Sequence, residues 1–115
     1  MRYEEEQNQI IVVNYLRKFK PDILFTTAGA AGERLSMMKA IRVKRMGYTA
    51  GTPDLMIFEA RKKYHALFIE MKKTNGGVVS ENQKAFLKKL NENGYKAVVC
   101  HGAQEAISEI EKYFS

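Results

Sequence analysis

The chain has no tryptophan, a single cysteine and only two prolines in 115 residues. One thiol, Cys100, cannot close an internal disulfide, so the fold is expected to rest on its core and the protein to be intracellular. No apolar run approaches the roughly 20 residues that a membrane span needs, so no membrane association is expected. The opening Met-Arg-Tyr-Glu-Glu-Glu is acidic where a secretory signal would be basic and then apolar. Histidine is scarce too, and His65 and His101 lack the spacing of metal-ligand pairs. Cys100 ends an apolar stretch with only His101 beside it as a base, which reads as a structural thiol rather than a nucleophile.

Negative charge is the sign in short supply. Thirteen Asp and Glu face nineteen Lys and Arg, giving a net charge of +6. A basic small domain suits a polyanionic partner, because each phosphate contact releases counterions from a nucleic acid. The charge is also unevenly placed. Arg34, Lys39, Arg42, Lys44 and Arg45 follow one another with no acid between them. Arg61, Lys62 and Lys63 form a second cluster, and Lys84, Lys88 and Lys89 a third, while acids gather at the N-terminus and in the last helix.

What is present has the size of one domain, residues 1–115, with no repeat, linker or low-complexity tract. Residues 4–19 read as a helix with Ile10, Val13 and Leu16 at helical spacing, stopped by Pro21. Ile23 to Thr27 reads as a strand, Ala28 to Gly32 as a flexible turn, and residues 34–46 as a short basic helix. Asp54 to Glu59 and His65 to Lys72 read as two strands joined through Ala60–Tyr64. Ser80 opens a helix that runs to about Asn93 and is closed by Gly94. Lys96 to Cys100 reads as a strand buried on both faces. A last helix carries Ala103, Ala106, Ile107, Ile110 and Phe114 on one stripe. The order αβαββαβα describes an α/β fold, a mixed sheet flanked by helices.

Strand periodicity puts Glu70 and Lys72 on one face, roughly 6.5–7 Å apart along the chain, with Leu67, Ile69 and Met71 on the other. Pairing Glu59 with His65 leaves a five-residue hairpin loop, a common length. The same register sets Asp54 opposite Glu70, with Cβ atoms about 4.5–5.5 Å apart. Two facing carboxylates are unfavourable without a proton or a cation between them. A hard divalent ion resolves the conflict, since Mg²⁺ binds through one or two carboxylates and holds phosphate oxygens. Carboxylate, carboxylate and lysine are the groups that phosphodiester hydrolysis needs, and the backbone carbonyl of Met71 offers a further oxygen ligand. The plainer reading has Asp54 capping a turn and Glu70 with Lys72 as a surface ion pair. Against it, both residues end the apolar run Leu67-Phe68-Ile69, where burying charge is costly.

The surroundings of this trio add to it. Gly51-Thr52-Pro53-Asp54-Leu55, Leu67-Phe68-Ile69-Glu70-Met71-Lys72 and Ser80-Glu81-Asn82-Gln83 together closely resemble the virus-type replication-repair nuclease domain (VRR-NUC), a branch of the PD-(D/E)xK nuclease superfamily. The match continues more weakly through Gly94-Tyr95-Lys96-Ala97-Val98 to the last helix. The resemblance implies a restriction-endonuclease-like fold, with Asp54 and Glu70 as metal ligands, Lys72 as the catalytic lysine, and a role for Gln83. Ser80 and Gln83 also form a capping-box pattern, and Gln83 shares the inward stripe of Phe86, Leu87 and Leu90. A glutamate on the first helix is implied near a glutamine. Glu5 and Gln9 are four apart and share a face, which favours Glu5 over Glu4 and Glu6, although any of them could serve only the helix dipole.

Two departures stand out: relatives often have Asn-Gly-Gly where this chain has Ala28 to Gly32, and many have Gly at Ala66. The first bears on DNA contacts by that loop, with Arg34 as the phosphate contact left there. Lys39, Arg42, Lys44, Arg45 and Lys73 complete the expected DNA-binding set. The expected activity is that of a Mg²⁺- or Mn²⁺-dependent DNA endonuclease. Small stand-alone members resemble homodimers that cleave four-way junctions, so junction resolution by a homodimer is the reading, with flap or nicked-duplex cleavage or a non-catalytic nucleic-acid-binding module as alternatives.

Overall fold

The computed structural model describes residues 2–29 and 36–115. Its elements are α1 (Arg2–Phe19), β1 (Phe25–Thr27), α2 (Met37–Arg45), β2 (Leu55–Ile57), β3 (Leu67–Lys72), α3 (Glu81–Glu92), β4 (Lys96–His101) and α4 (Ala103–Phe114), the order read from the sequence. They form a four-stranded mixed sheet in the order β1-β2-β3-β4. β2 runs antiparallel to both β1 and β3, and β4 runs parallel to β3. A parallel neighbour needs a crossover rather than a hairpin, and α3 provides it.

Alternation along β3 divides the molecule into two apolar layers. Leu67, Ile69 and Met71 join Leu55, Ile57 and Cys100 under Val12 and Leu16 of α1 and Ala106, Ile110 and Tyr113 of α4. Phe68 faces the other way, with Ala66 and Ala97 under Leu87 of α3. Glu70 and Lys72 share this second face, so the acid and base of β3 sit beside α3. Among the described residues, no helix is long and apolar enough to cross a membrane.

Three sequence expectations change. The buried stripe of α1 is Val12 and Leu16, whereas Ile10 is half exposed and lies with Val13 along a groove beside β1. β4 is an edge strand: Ala97 and Cys100 are buried and the others only partly, so burial on both faces belongs to β3 instead. On α4 it is Tyr113 that is buried, its hydroxyl donating to the carbonyl of Glu59 at 2.6 Å, while Phe114 is partly covered. The basic helix α2 starts behind Ser36, whose Oγ accepts from the backbone N–H of Lys39 at 3.3 Å. Arg34 and most of the Ala28 to Gly32 turn lie outside the described residues.

Candidate active site

Leu55 pairs with Ile69 and Ile57 with Leu67. One step further in the same register, Asp54 stands across from Glu70 as expected, although the hairpin closes through Arg61 and Tyr64 rather than at Glu59 and His65. Both ends of Asp54 are held. Its carbonyl accepts from the N–H of Ala28 at 3.0 Å, and its Oδ2 accepts from the N–H of Met71 at 2.8 Å. Within a strand the N–H and C=O of one residue point to the same side, so the Met71 carbonyl is directed to the strand edge that Asp54 occupies.

Glu70 and Lys72 are buried, at 3% and 8% exposure. The Lys72 ammonium lies 3.6 Å from Glu70 Oε2, and the Gln83 amide donates to the same oxygen at 2.8 Å. The other oxygen, Oε1, is buried without a hydrogen-bond partner. Burial pushes the Glu70 carboxyl up to about 8, reinforced by the negative charge of Asp54 across from it. Lys72 opposes this and Glu5 adds to it, but desolvation and the facing acid outweigh the lysine.

Gln83 is positioned by the start of α3. Ser80 Oγ accepts from the Gln83 N–H at 3.1 Å, and Gln83 Oε1 accepts from the Ser80 N–H at 2.9 Å, a complete capping box. Its Nε2 remains free to reach Glu70, so the capping and site roles coexist. The loop ahead of Asp54 is pressed against the same helix end. At Gly51, with φ of +93°, a Cβ would lie 2.3 Å from the carbonyl oxygen of Asn82. Only glycine permits that approach, and it ties the Asp54 strand to the Gln83 helix.

The first-helix acids separate by their surroundings. Glu4 accepts from the N–H of Thr74 at 2.9 Å, which holds its carboxylate below the ordinary value. Glu6 is exposed. Glu5 is partly buried, and its charge is among those that raise Glu70. Among the described residues, no three Asp, Glu, His or Cys side chains converge as a ready-made metal cage. The inner pair is therefore Asp54 and Glu70, with Glu5 farther out.

Tyr48 was not selected by sequence reasoning. Its phenol is raised by burial and then by the charges of Glu70 and Asp54, which places it in the field of the carboxylate pair. No signal in the sequence marks it, since its nearness depends on how the loop after α2 returns to β2. The expected DNA contacts Lys39, Arg42, Lys44 and Arg45 are exposed on α2, a helix with no buried residue. Lys73 is partly buried beside the site, its carbonyl 3.1 Å from His101 Nδ1.

The residues fit a divalent cation. A buried carboxylate with an unpartnered oxygen, facing a second carboxylate, has an unmet need for positive charge that one lysine does not fulfil. Hard oxygen donors of this kind suit Mg²⁺ or Mn²⁺.

The family model for the VRR-NUC domain matches residues 3–104. A solved structure described as a VRR_NUC domain protein is 34% identical, with a TM-score of 0.79 over 96% of this chain and 87% of that one. No curated protein matches the chain. With the motif residues gathered at one site and the family model covering most of the sequence, the chain belongs to the VRR-NUC domain family, nucleases of the PD-(D/E)xK type.

Proposed function

We propose that the protein is a Mg²⁺- or Mn²⁺-dependent DNA endonuclease that acts on branched DNA, four-way junctions above all, as a homodimer. The observation that carries the metal-dependent reading is the buried Glu70 carboxylate, held by Lys72 and Gln83 on one oxygen and unpartnered on the other. Asp54 and Glu70 would hold the ion, with the Met71 carbonyl as a third oxygen and Glu5 as a more distant carboxylate. When bound, a divalent ion supplies Lewis acidity to a phosphate oxygen and acidifies water.

The protein's own groups do the rest. Gln83 fixes the rotamer of Glu70 by a 2.8 Å hydrogen bond anchored through the helix cap. Lys72 presents an ammonium in a water-poor setting, where it orients a nucleophile or offsets charge that develops on the phosphate. Asp54 is braced by the Met71 N–H, so neither carboxylate has to reorganise when a substrate arrives. The exposed bases of α2, with Lys73 nearer the centre, supply phosphate contacts.

The dimer follows from strand count. One catalytic centre per chain cuts one strand, and symmetric cutting of a junction needs two. The buried thiol and a DNA substrate are consistent with an intracellular protein. A non-catalytic binding module is the weaker reading, because keeping opposed acids next to bound phosphate weakens binding.

The test is a cleavage assay on junction, flap, nicked, single-stranded and duplex DNA with Mg²⁺, Mn²⁺ or EDTA, alongside sedimentation analysis. Metal-dependent junction cutting by a dimer is expected. Flap or nick cleavage by a monomer would overturn the junction reading. DNA binding with no cutting of any substrate would leave only the module.

A further inference from the structure

We infer that the end of the molecule remote from the carboxylate pair is a second polyanion site, built from Lys62, Lys63, Lys96 and Lys112 around Tyr64, and that its ligand is the phosphodiester backbone of DNA. The inference rests on the reading of DNA as substrate, but it assigns a surface outside the catalytic centre.

The hairpin between β2 and β3 closes through paired backbone bonds of Arg61 and Tyr64, at 3.1 and 2.9 Å. Lys62, inside the turn, has a left-handed backbone with φ of +55°, a conformation that Asn or Gly would adopt at less cost. Its ammonium reaches across to the carbonyl of Lys112 at 3.1 Å, which brings the end of α4 against the turn. Lys63 and Lys96 lie 5.7 and 5.6 Å from the centroid of the Tyr64 ring. These lysines, with Tyr113 and Glu109, line a concavity of about 490 Å³. Next to it, Lys20 and Arg61 stand 4.7 and 4.9 Å from the Phe114 ring.

The charge balance is one-sided. Glu109 faces the concavity but is engaged by Lys112 at 3.7 Å, and Glu59 is engaged by Arg61 at 3.3 Å. Lys62, Lys63 and Lys96 line the concavity without a carboxylate within ion-pair distance among the described residues. Like charges gathered around one concavity repel unless an anion joins them, the converse of the acids at the catalytic end. Aromatic rings interleaved with lysines add a stacking surface, a combination typical of nucleic-acid grooves. β3 separates this end from Lys72 by roughly 20 Å, so one chain could hold backbone at two places, as a branched substrate would require.

The experiment measures fluorescence anisotropy of the metal-free protein with labelled four-way-junction and duplex DNA at several salt concentrations. The variants are K63E/K96E and the neutral K63Q/K96Q, with thermal melting to check folding. Lysine acylation read by mass spectrometry, with and without DNA, reports on the native chain independently of any variant. The expected result is at least a tenfold loss of junction affinity for K63E/K96E, a salt slope lower by about two, an intermediate effect for K63Q/K96Q, and protection of Lys63 and Lys96 by DNA. Unchanged affinity and slope in a folded variant, with no protection, overturns the inference while leaving the catalytic reading intact. Protection by phosphatidylserine vesicles but not by DNA also overturns it, in favour of a lipid surface. A parent protein that binds no DNA overturns both readings.

Discussion

The Gln83 side chain closes the cap of α3 with its carbonyl and holds Glu70 with its amide N–H, so one residue couples helix start to catalytic strand. The two bonds are separable by substitution. Gln83→Glu keeps an acceptor for the Ser80 N–H, as Glu serves in capping boxes, but removes the donor to Glu70 and adds a third acid there. Gln83→Ala removes both bonds. Stability near neutral pH is expected to fall by about 1 kcal/mol in Gln83→Ala, while both variants lose at least tenfold in cleavage rate. Thermal melting with 1:1 comparison of single-turnover rates checks this, and full activity in Gln83→Glu would show that the amide does not position Glu70.

Glu70 also predicts a pH response of the metal-free fold. Its folded value is about 8 against an ordinary 4.5, so between these limits the folded state keeps a proton that the unfolded chain has released. Stability from this group is therefore full below 4.5 and is lost as pH rises through about 8. Glu4, held low by Thr74, works with the opposite sign but completes its change below that window. In EDTA, the melting temperature should decline from mildly acidic to mildly alkaline pH more steeply than in Glu70→Gln. Added Mg²⁺ should raise it most at the alkaline end, because the ion competes with the proton for the same carboxylate. Parallel profiles for the two proteins would remove Glu70 as the cause.

Asp54→Asn should separate function from stability. The amide oxygen can still accept from the Met71 N–H, and the repulsion between two facing acids is gone. The metal-free variant is expected to be more stable than the parent by about 1 kcal/mol, a common trade at functional sites, and to cut no DNA. Its melting temperature should no longer respond to Mg²⁺. A variant that cleaves with metal at the parent's rate would dismiss Asp54 as a ligand.

The β2–β3 register was legible because strand alternation in a short hairpin favours one pairing, Asp54 against Glu70, although the hairpin closes at Arg61 and Tyr64 around a two-residue turn rather than the five-residue loop expected. Gln83 was legible for a similar reason, since Ser80 three residues earlier marks a helix start. The face of α1 was not. Ile10, Ile11, Val12 and Val13 are all apolar, so periodicity leaves the buried side open, and docking of α1 on α4 and β3 selects Val12 and Leu16. The partial exposure of β4 was hidden for a different reason: Lys-Ala-Val-Val-Cys has the composition of an interior strand, and only strand order reveals an edge. Tyr48 lies beyond any local rule, because loop return brings it under the influence of Glu70 and Asp54.

Gly51→Ala tests the contact that sets the distance between the two halves of the site. A Cβ there would lie 2.3 Å from the Asn82 carbonyl oxygen and 2.9 Å from the Gln83 nitrogen, and its φ of +93° is strained for any L side chain. Both neighbours are backbone, so no rotamer change relieves the clash. Either the Asp54 loop or the first turn of α3 has to move, and with it the Asp54–Glu70–Gln83 arrangement. The expected loss is about 2 kcal/mol or more, read as a lower urea midpoint with an unchanged slope. Cleavage should fall further than the folded fraction alone explains, because the folded molecules carry a displaced carboxylate. A variant with the parent's midpoint and rate would mean that the loop and helix give way freely, and that the Gly51 approach does not set the site's geometry.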